Sequence, residues 1–411
     1  MDMTGIAATD IQAAGFSPER IGKIGTVMQR FVDRGVLPGL ITVVARHGKI
    51  AHLECFGVTD IESQTPMRPD AIFRIYSMTK PITAVATMML VEDGLIQLND
   101  PVCRYIPAFK DTKVFVRHTE QGVELADLQR DITVHDLLTH TAGLSYGFFD
   151  DTPVDEMYRQ ARLMTNSDPM PLTLEAMVTR LASLPLVHQP GTVWRYSVAH
   201  DVLGHLISVV AGMPFDQFLS ERVFTPLGMA DTGFYVPDDK LSRLVTLYSA
   251  TASGAFIKAP KTSIWRDPKR APSGGGGLVS TAADYLRFAQ MLLNGGVLDG
   301  VRLLSRKSVA LMTRNHLSAG MLPFAVDARY PELGYGYGLG VGVLMNAAEA
   351  EELAGEGMYY WSGAAKTRWW NDPSEDLIGL MMAQVLTPTR LPEVEAIKTV
   401  FRTLVYQAIE D

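Results

Sequence analysis

Three patterns of hydrophobic and polar positions recur along the chain, and each predicts a kind of element. The first is helical. Residues 17–35 place Ile21, Ile24, Met28, Phe31 and Val32 at helical spacing behind Ser17-Pro18, a cap followed by a proline whose missing N–H costs nothing in a first turn. The second is alternation. GLITVVA and KIAHLECFGV alternate in the β manner on either side of Arg46-His47-Gly48, which predicts a hairpin. Near the other end GYGLGVGVL, then MYYWSGAAKTRWW and DLIGLMMAQV around Asn371-Asp372-Pro373-Ser374, read as three more strands. Residues 392–409, with Val394, Ile397, Phe401, Leu404 and Ala408 at helical spacing, close the chain as a second amphipathic helix. Strands at both ends imply one antiparallel sheet built from both termini.

The stretch between them carries helix-like segments at 131–141 (Thr133 as cap, Gly143 as stop), 173–183, 198–212 and 214–223, joined by loops rich in proline and glycine. The pattern predicts a mostly α-helical domain over 95–275, inserted into an α/β domain made of 1–94 and 276–411. A helix over 280–294 returns the chain to the sheet. A length of 411 residues suits about two domains.

The third pattern is a run with no polar face. From Met78 to Val91 the residues are Met, Ile, Ala, Val, Leu, Thr and one proline around a single cation, Lys80. Such a run reads as a buried helix. Pro81 belongs in its first turn and Gly94 beyond its end, which puts Ser77 at the N-cap and Lys80 one turn later on the same face. A serine at the positive end of a helix, beside a lysine whose charged form burial disfavours, suits a nucleophile with a base and an N–H for an oxyanion. S-x-x-K spacing alone is common by chance. The burial of Lys80 is what gives it weight, because a lone buried lysine is costly unless paired or used.

Composition narrows the partners. The net charge of −8 comes without long runs of one sign, so nucleic acid and anionic membrane are poor candidates. The N-terminal stretch MDMTGIAATDIQAAG lacks the basic and apolar regions of a secretory signal, and no 18-residue apolar run spans a bilayer. Cys55 and Cys103 lie far apart without C-x-x-C spacing. A reduced, cytoplasmic setting is the simplest expectation. The histidines form no H-E-x-x-H and no Cys/His cluster, so neither a metal nor another cofactor is expected. Nothing in the sequence specifies an oligomeric state.

Other candidates are weaker. Gly143-Leu144-Ser145-Tyr146-Gly147 matches G-x-S-x-G, but that pentapeptide works on a strand-to-helix turn, and here a helix precedes it and a loop follows. Tyr146, Phe148 and Phe149 in the same loop either line an acyl pocket or pack as loop core. Tyr196, in the turn Pro190–Ser197, either presents its phenol to a site or packs as an aromatic. Gly274–Gly277 lacks the G-K-[ST] of a phosphate cradle and fits close backbone approach beside a pocket.

Taken together, YSMTK at 76–80, LLTHTAGL at 137–144, PGTVWRYS at 190–197, GGGGLVST at 274–281 and WSGA at 361–364 resemble the serine β-lactamase-like hydrolases. Among these the likeness is to the family VIII carboxylesterases, related to class C β-lactamases. The resemblance implies an α+β fold of the β-lactamase and penicillin-binding-protein kind, an antiparallel sheet flanked by helices plus a mostly helical inserted domain. It makes Ser77 the nucleophile, Lys80 its base and Tyr196 the second proton-transfer group. It sets Trp361-Ser362-Gly363 in place of K-T-G, with the N–H groups of Ser77 and Ala364 as oxyanion hole. Trp361, Gly363, Tyr146, Phe148 and Val198 would then line the substrate pocket.

Two departures bear on substrate. Val198 stands where a β-lactamase has asparagine, and Trp361 where it has a cation. Both make the pocket more apolar, which favours neutral, short- to medium-chain esters over carboxylated amides. The expected activity is a serine carboxylesterase acting on a small-molecule ester. The alternatives are an acyltransferase to an alcohol, a weak β-lactamase and a non-catalytic ligand-binding relative.

Overall fold

The structure, a computed structural model, describes residues 11–120, 122–149, 151–163, 173–259, 262–387 and 391–411. Residues 1–10, most of the stretch read as lacking a secretory signal, lie outside it. One eight-stranded sheet organises the chain. Its strands run in the order Tyr335–Tyr337, Gly342–Leu344, Tyr359–Ser362, Arg368–Asp372, Leu377–Ala383, Gly39–Arg46, Lys49–Asp60 and Thr65–Pro66, each antiparallel to its neighbours. The two ends of the chain meet where Gly39–Arg46 pairs with Leu377–Ala383, as the alternating segments at both termini predict. The first hairpin closes through His47 and Gly48, both left-handed (φ 52° and 69°), the backbone that a two-residue turn between twisted strands requires.

Helices cover both faces of this sheet. On the strand Arg368–Asp372, Trp369 packs against Tyr285 and Phe288 of the helix Ala282–Leu293. Its neighbour Trp370 packs against Phe401 and Arg402 of the helix Pro392–Tyr406. Successive strand residues point to opposite faces, so these two helices lie on opposite sides. The amphipathic helix Lys23–Asp33 joins Pro392–Tyr406 on its side. With both faces covered, all eight residues of Gly39–Arg46 are buried, which explains their near-continuous apolar run.

Two parts of the sequence reading are corrected. The three expected C-terminal strands are five in this sheet, because GYGLGVGVL breaks at a turn closed by Gly338 N–H to Val341 O (2.8 Å) and MYYWSGAAKTRWW at one closed by Gly363 N–H to Thr367 O (2.8 Å). DLIGLMMAQV runs on into a short strand, Val385–Leu386, that pairs with Tyr248–Ala250 instead. Residues 95–275 hold the expected helices, among them Val134–Leu138, Leu174–Ala182, Ala199–Ala211 and Phe215–Leu219. They also hold two hairpins, Lys113–Thr119 with Gly122–Asp127 and Tyr248–Ala250 with Phe256–Lys258. The first hairpin is exposed over most of both strands, so it has no buried face to stamp an apolar alternation on the sequence.

The unbroken apolar run is the helix Thr79–Glu92, buried from Thr79 through Leu90 and packed on Ala199–Ala211. Gly94 follows it at φ 72°. Among the described residues no single helix is long and apolar enough to cross a membrane.

Close packing across the sheet makes one glycine critical. Gly379 pairs with Trp370, and a Cβ at Gly379 would stand 2.1 Å from the indole, which Phe401 and Arg402 hold from behind. Gly379→Ala should therefore destabilise the protein by about 1–3 kcal/mol through overpacking. Urea unfolding of the two proteins measures it.

Candidate active site

The nucleophile candidate sits at the entrance of the central helix, one residue earlier than expected. The helix begins at Thr79 with Met78 at its N-cap position, and Ser77 lies in the 3-10 turn Tyr76–Met78 before it. The cause is local: Tyr76 takes a left-handed backbone (φ 44°), and Met78 N–H bonds Ile75 O (3.0 Å). A non-glycine residue in this region costs of order 1–3 kcal/mol and persists only where surrounding structure holds it. Here the Tyr76 ring packs edge-on against Trp265 (5.7 Å). Pro81 falls in the first helical turn, as its missing N–H predicts.

Lys80, fully buried, lies one turn on. Its Nζ is 3.2 Å from Ser77 Oγ, 3.1 Å from Tyr146 Oη and 2.7 Å from Gly275 O, so each of its three N–H donors has an oxygen. Tyr196 Oη is 2.7 Å from Ser77 Oγ, and Lys80 Nζ is 4.5 Å from the Tyr196 ring centre. The structure thus brings Ser77, Lys80 and Tyr196 together, although Tyr196 is 119 residues from Ser77.

Tyr146, expected as a pocket residue, is a hydrogen-bond partner of Lys80. It is buried, with its phenol pushed well above the usual tyrosine range by burial and then by Tyr196 and Asp201, so it stays protonated. Phe148 stacks on it (4.6 Å) and is 41% exposed, the one of this pair that faces outward. Gly274–Gly277 pass close beside the site as the glycine run suggests: a Cβ at Gly274 would meet His200 O at 2.3 Å, and one at Gly275 would meet Asp201 Oδ2 at 2.5 Å.

The turn after Trp361 docks on the residues before Ser77. Thr367 Oγ1 donates to Ile75 O (3.3 Å), and Gly363 lies so near that a Cβ would meet the same oxygen at 2.3 Å. Ala364, at the tip of this turn, is exposed. Trp361 is buried, 5.8 Å from Tyr196 and 5.2 Å from Tyr337 between ring centres. Val198 is fully buried at the N-cap position of Ala199–Ala211. It packs as core with no solvent-accessible surface, which does not suit the expected pocket wall. Lys366 and Arg368 both pair with Glu395, which holds their charge on the C-terminal helix.

Sequence reasoning missed Asp201, whose Oδ1 accepts from Ser273 Oγ (2.5 Å) and Gly275 N–H (3.2 Å). It fixes the segment whose carbonyl binds Lys80. Burial raises its carboxyl, an effect that the Ser273 hydroxyl and Lys80 oppose. His140 and His200 were missed too; both are fully buried, and burial holds both imidazoles well below their usual range. Single residues of these types carry no spacing signal.

Ser145 has another job. It is fully buried, donates to Asp155 and accepts from Arg195 Nε (2.8 Å), while Arg195 also pairs with Asp155 and Asp151. The pentapeptide lies in a loop after Val134–Leu138 and has no strand-to-helix turn. Among the described residues no three His, Cys, Asp or Glu side chains form a set placed to hold a metal ion.

A serine, a lysine and a tyrosine within hydrogen-bond reach, at the mouth of a buried helix beside an antiparallel sheet, are the arrangement of the β-lactamase-like serine hydrolases. The chain belongs to the Beta-lactamase family, which it matches over residues 24–400. It is 39% identical over 357 residues to Protein Rv1367c of Mycobacterium tuberculosis, covering 86% of this chain and 87% of that one. It is 30% identical over 377 residues to Esterase EstB of Burkholderia gladioli, covering 88% and 89%. Among solved structures it superposes on EstCE1, described as a hydrolase with promiscuous acyltransferase activity, with a TM-score of 0.80, 28% identity and coverage of 94% and 99%.

The Ser145 network yields a stability prediction. Ser145→Ala removes the hydroxyl between a buried carboxylate and a guanidinium and should cost about 1–3 kcal/mol, the penalty of an unsatisfied buried group. Chemical unfolding of the variant reads it.

Proposed function

We propose that the chain is a serine carboxylesterase that hydrolyses neutral short- to medium-chain esters through an acyl-enzyme on Ser77. The observation that carries the reading is the double contact of Ser77 Oγ, with Lys80 Nζ at 3.2 Å and Tyr196 Oη at 2.7 Å. The names of EstB and EstCE1 support the ester chemistry. Ser77 Oγ attacks the ester carbonyl, and its proton passes to the Tyr196–Lys80 pair. In the resting arrangement both Lys80 Nζ and Tyr196 Oη donate to Ser77 Oγ, so the pair accepts the serine proton only in the form that has first released one proton to solvent: Tyr196 as phenolate takes the proton, and the Lys80 ammonium beside the ring stabilises that phenolate. The pair returns the proton to the leaving alcohol. Water then attacks the acyl-enzyme by the same route in reverse. The N–H groups of Ser77 and Ala364 hold the oxyanion, a role that the docking of the 363–367 turn on Ile75 supports.

We place the site between the two parts of the chain: Ser77, Lys80 and Trp361 come from 1–94 and 276–411, Tyr146 and Tyr196 from 95–275. An acyl-enzyme also passes its acyl group to an alcohol, and the similarity to EstCE1 favours that as a second outcome. Two unpaired cysteines, Cys55 and Cys103, fit a reducing, cytoplasmic setting.

Ser77→Ala should lower hydrolysis of a p-nitrophenyl ester by ~10³-fold or more, while Ser145→Ala keeps it in the folded fraction; the opposite pattern overturns the assignment. Tyr196→Phe should reduce kcat by roughly 10²–10⁴-fold, the range of a general acid–base group, with little change in KM. Trp361→Lys should shift the ratio of kcat/KM for a neutral ester to that for a carboxylate-bearing one toward the latter by about 1–3 kcal/mol, the worth of a hydrogen bond to a charged group. An unchanged ratio in a folded variant removes Trp361 from substrate selection.

A further inference from the structure

Tyr196 lies on irregular backbone between Gly191 and the helix that starts at Ala199, yet its phenol must stay within hydrogen-bond reach of Ser77. No ladder holds such a segment, so its position depends on individual bonds. The neighbouring stretch His140–Ser145 provides them. Gly191 N–H bonds Thr141 O (2.8 Å), Arg195 N–H bonds His140 O (2.9 Å) and Val198 N–H bonds Ser145 O (3.3 Å).

His140 touches every residue from 194 to 197. Its carbonyl takes the Arg195 N–H, its Nδ1 is 3.1 Å from Ser197 Oγ, and its ring lies 4.8 Å from Tyr196 and 5.8 Å from Trp194. The two hydrogen bonds bracket Tyr196 on both sides along the chain. His140 is itself fully buried and left-handed (φ 56°), a backbone region in which Asn, Asp and His are enriched among non-glycine residues. Its other ring nitrogen, Nε2, is buried without a partner, which leaves the Ser197 contact as its one side-chain hydrogen bond among the described residues.

We propose that His140 is a positioning residue for the reaction, holding the Tyr196 phenol at Ser77 through Ser197 on one flank and the Arg195 N–H on the other. It touches no reacting atom. The inference rests on Tyr196 being a proton-transfer group, as the proposed function has it. A neutral imidazole suits the place: burial first, then His200 and Lys80, disfavour the charged form, and a second cation would compete with Lys80 for the phenol. A displacement of about 1 Å at a reacting group costs up to ~10²-fold in rate, and that sets the expected effect.

The test compares His140→Ala, Ser197→Ala, the double variant and His140→Asn by steady-state ester hydrolysis, with thermal unfolding to normalise for folded protein. His140→Ala and Ser197→Ala should each lower kcat by ~10- to 10²-fold while KM moves less than ~2-fold. The double variant should be no worse than the poorer single one, because both remove the same bond. His140→Asn tolerates the left-handed backbone and offers an amide N–H near the Nδ1 position, so it should recover most of the loss. Near-normal kcat in the folded single variants, losses that multiply in the double, or an Asn variant no better than Ala overturns the proposal. If His140→Ala does not fold, Ser197→Ala decides alone, since it removes only a hydroxyl. Tyr196→Phe, measured alongside, separates the two ideas. If it keeps full kcat, the reading of Tyr196 fails and this one with it; if it loses kcat while the His140 and Ser197 variants do not, only the positioning role fails.

Discussion

A buried ammonium is the constraint around which the site is built. Lys80 enters the interior on a helix with no polar face, and removing such an ion from water costs several kcal/mol unless its donors are satisfied. Three oxygens do this, from Ser77, Tyr146 and Gly275, and each comes from a different part of the chain. The Gly275 carbonyl is in place because Asp201 holds the Gly275 N–H and Ser273. The Tyr146 phenol is in place because Phe148 and Phe149 pack around it. Solvating the charge and assembling the site are therefore one process.

A second constraint fixes the nucleophile. Tyr76 in a left-handed backbone would relax if nothing held it, and what holds it is packing from two sides: Trp265 against its ring, and the turn 363–367 against Ile75 just before it. That turn belongs to the sheet. The pairing of both chain ends in one sheet thus reaches the serine through Gly363 and Thr367, and a small residue at 363 is needed because a Cβ there would stand 2.3 Å from the Ile75 carbonyl oxygen.

Much of this was legible in the sequence, for physical reasons that also mark the limit. The hairpin Gly39–Asp60, the terminal helices and the buried helix show because burial on a face or all round imposes a period. Ser77 and Lys80 could be linked because they are three residues apart across the entrance of one helix. The hairpin Lys113–Asp127 was missed because it buries little. The link from Tyr146 to Lys80 spans 66 residues and runs through a loop, where no period tells which way a side chain points. Asp201 and His140 act as lone polar residues inside apolar segments, and their neighbours in space are not their neighbours in sequence. Val198 shows the reverse error: a motif position suggested a pocket wall, while the helix start buries it. The shift of the N-cap from Ser77 to Met78 came from a 3-10 turn that propensity does not announce.

The central claim is that Ser77 is the acyl-accepting nucleophile. The direct measurement is covalent: incubate the folded protein with a fluorophosphonate, follow ester hydrolysis, and locate the adduct by peptide mapping. The account predicts loss of activity in step with one equivalent of label on the peptide containing Ser77, and no label in Lys80→Ala under the same conditions. Label on Ser145 or another serine, or full activity after Ser77 is modified, would contradict it.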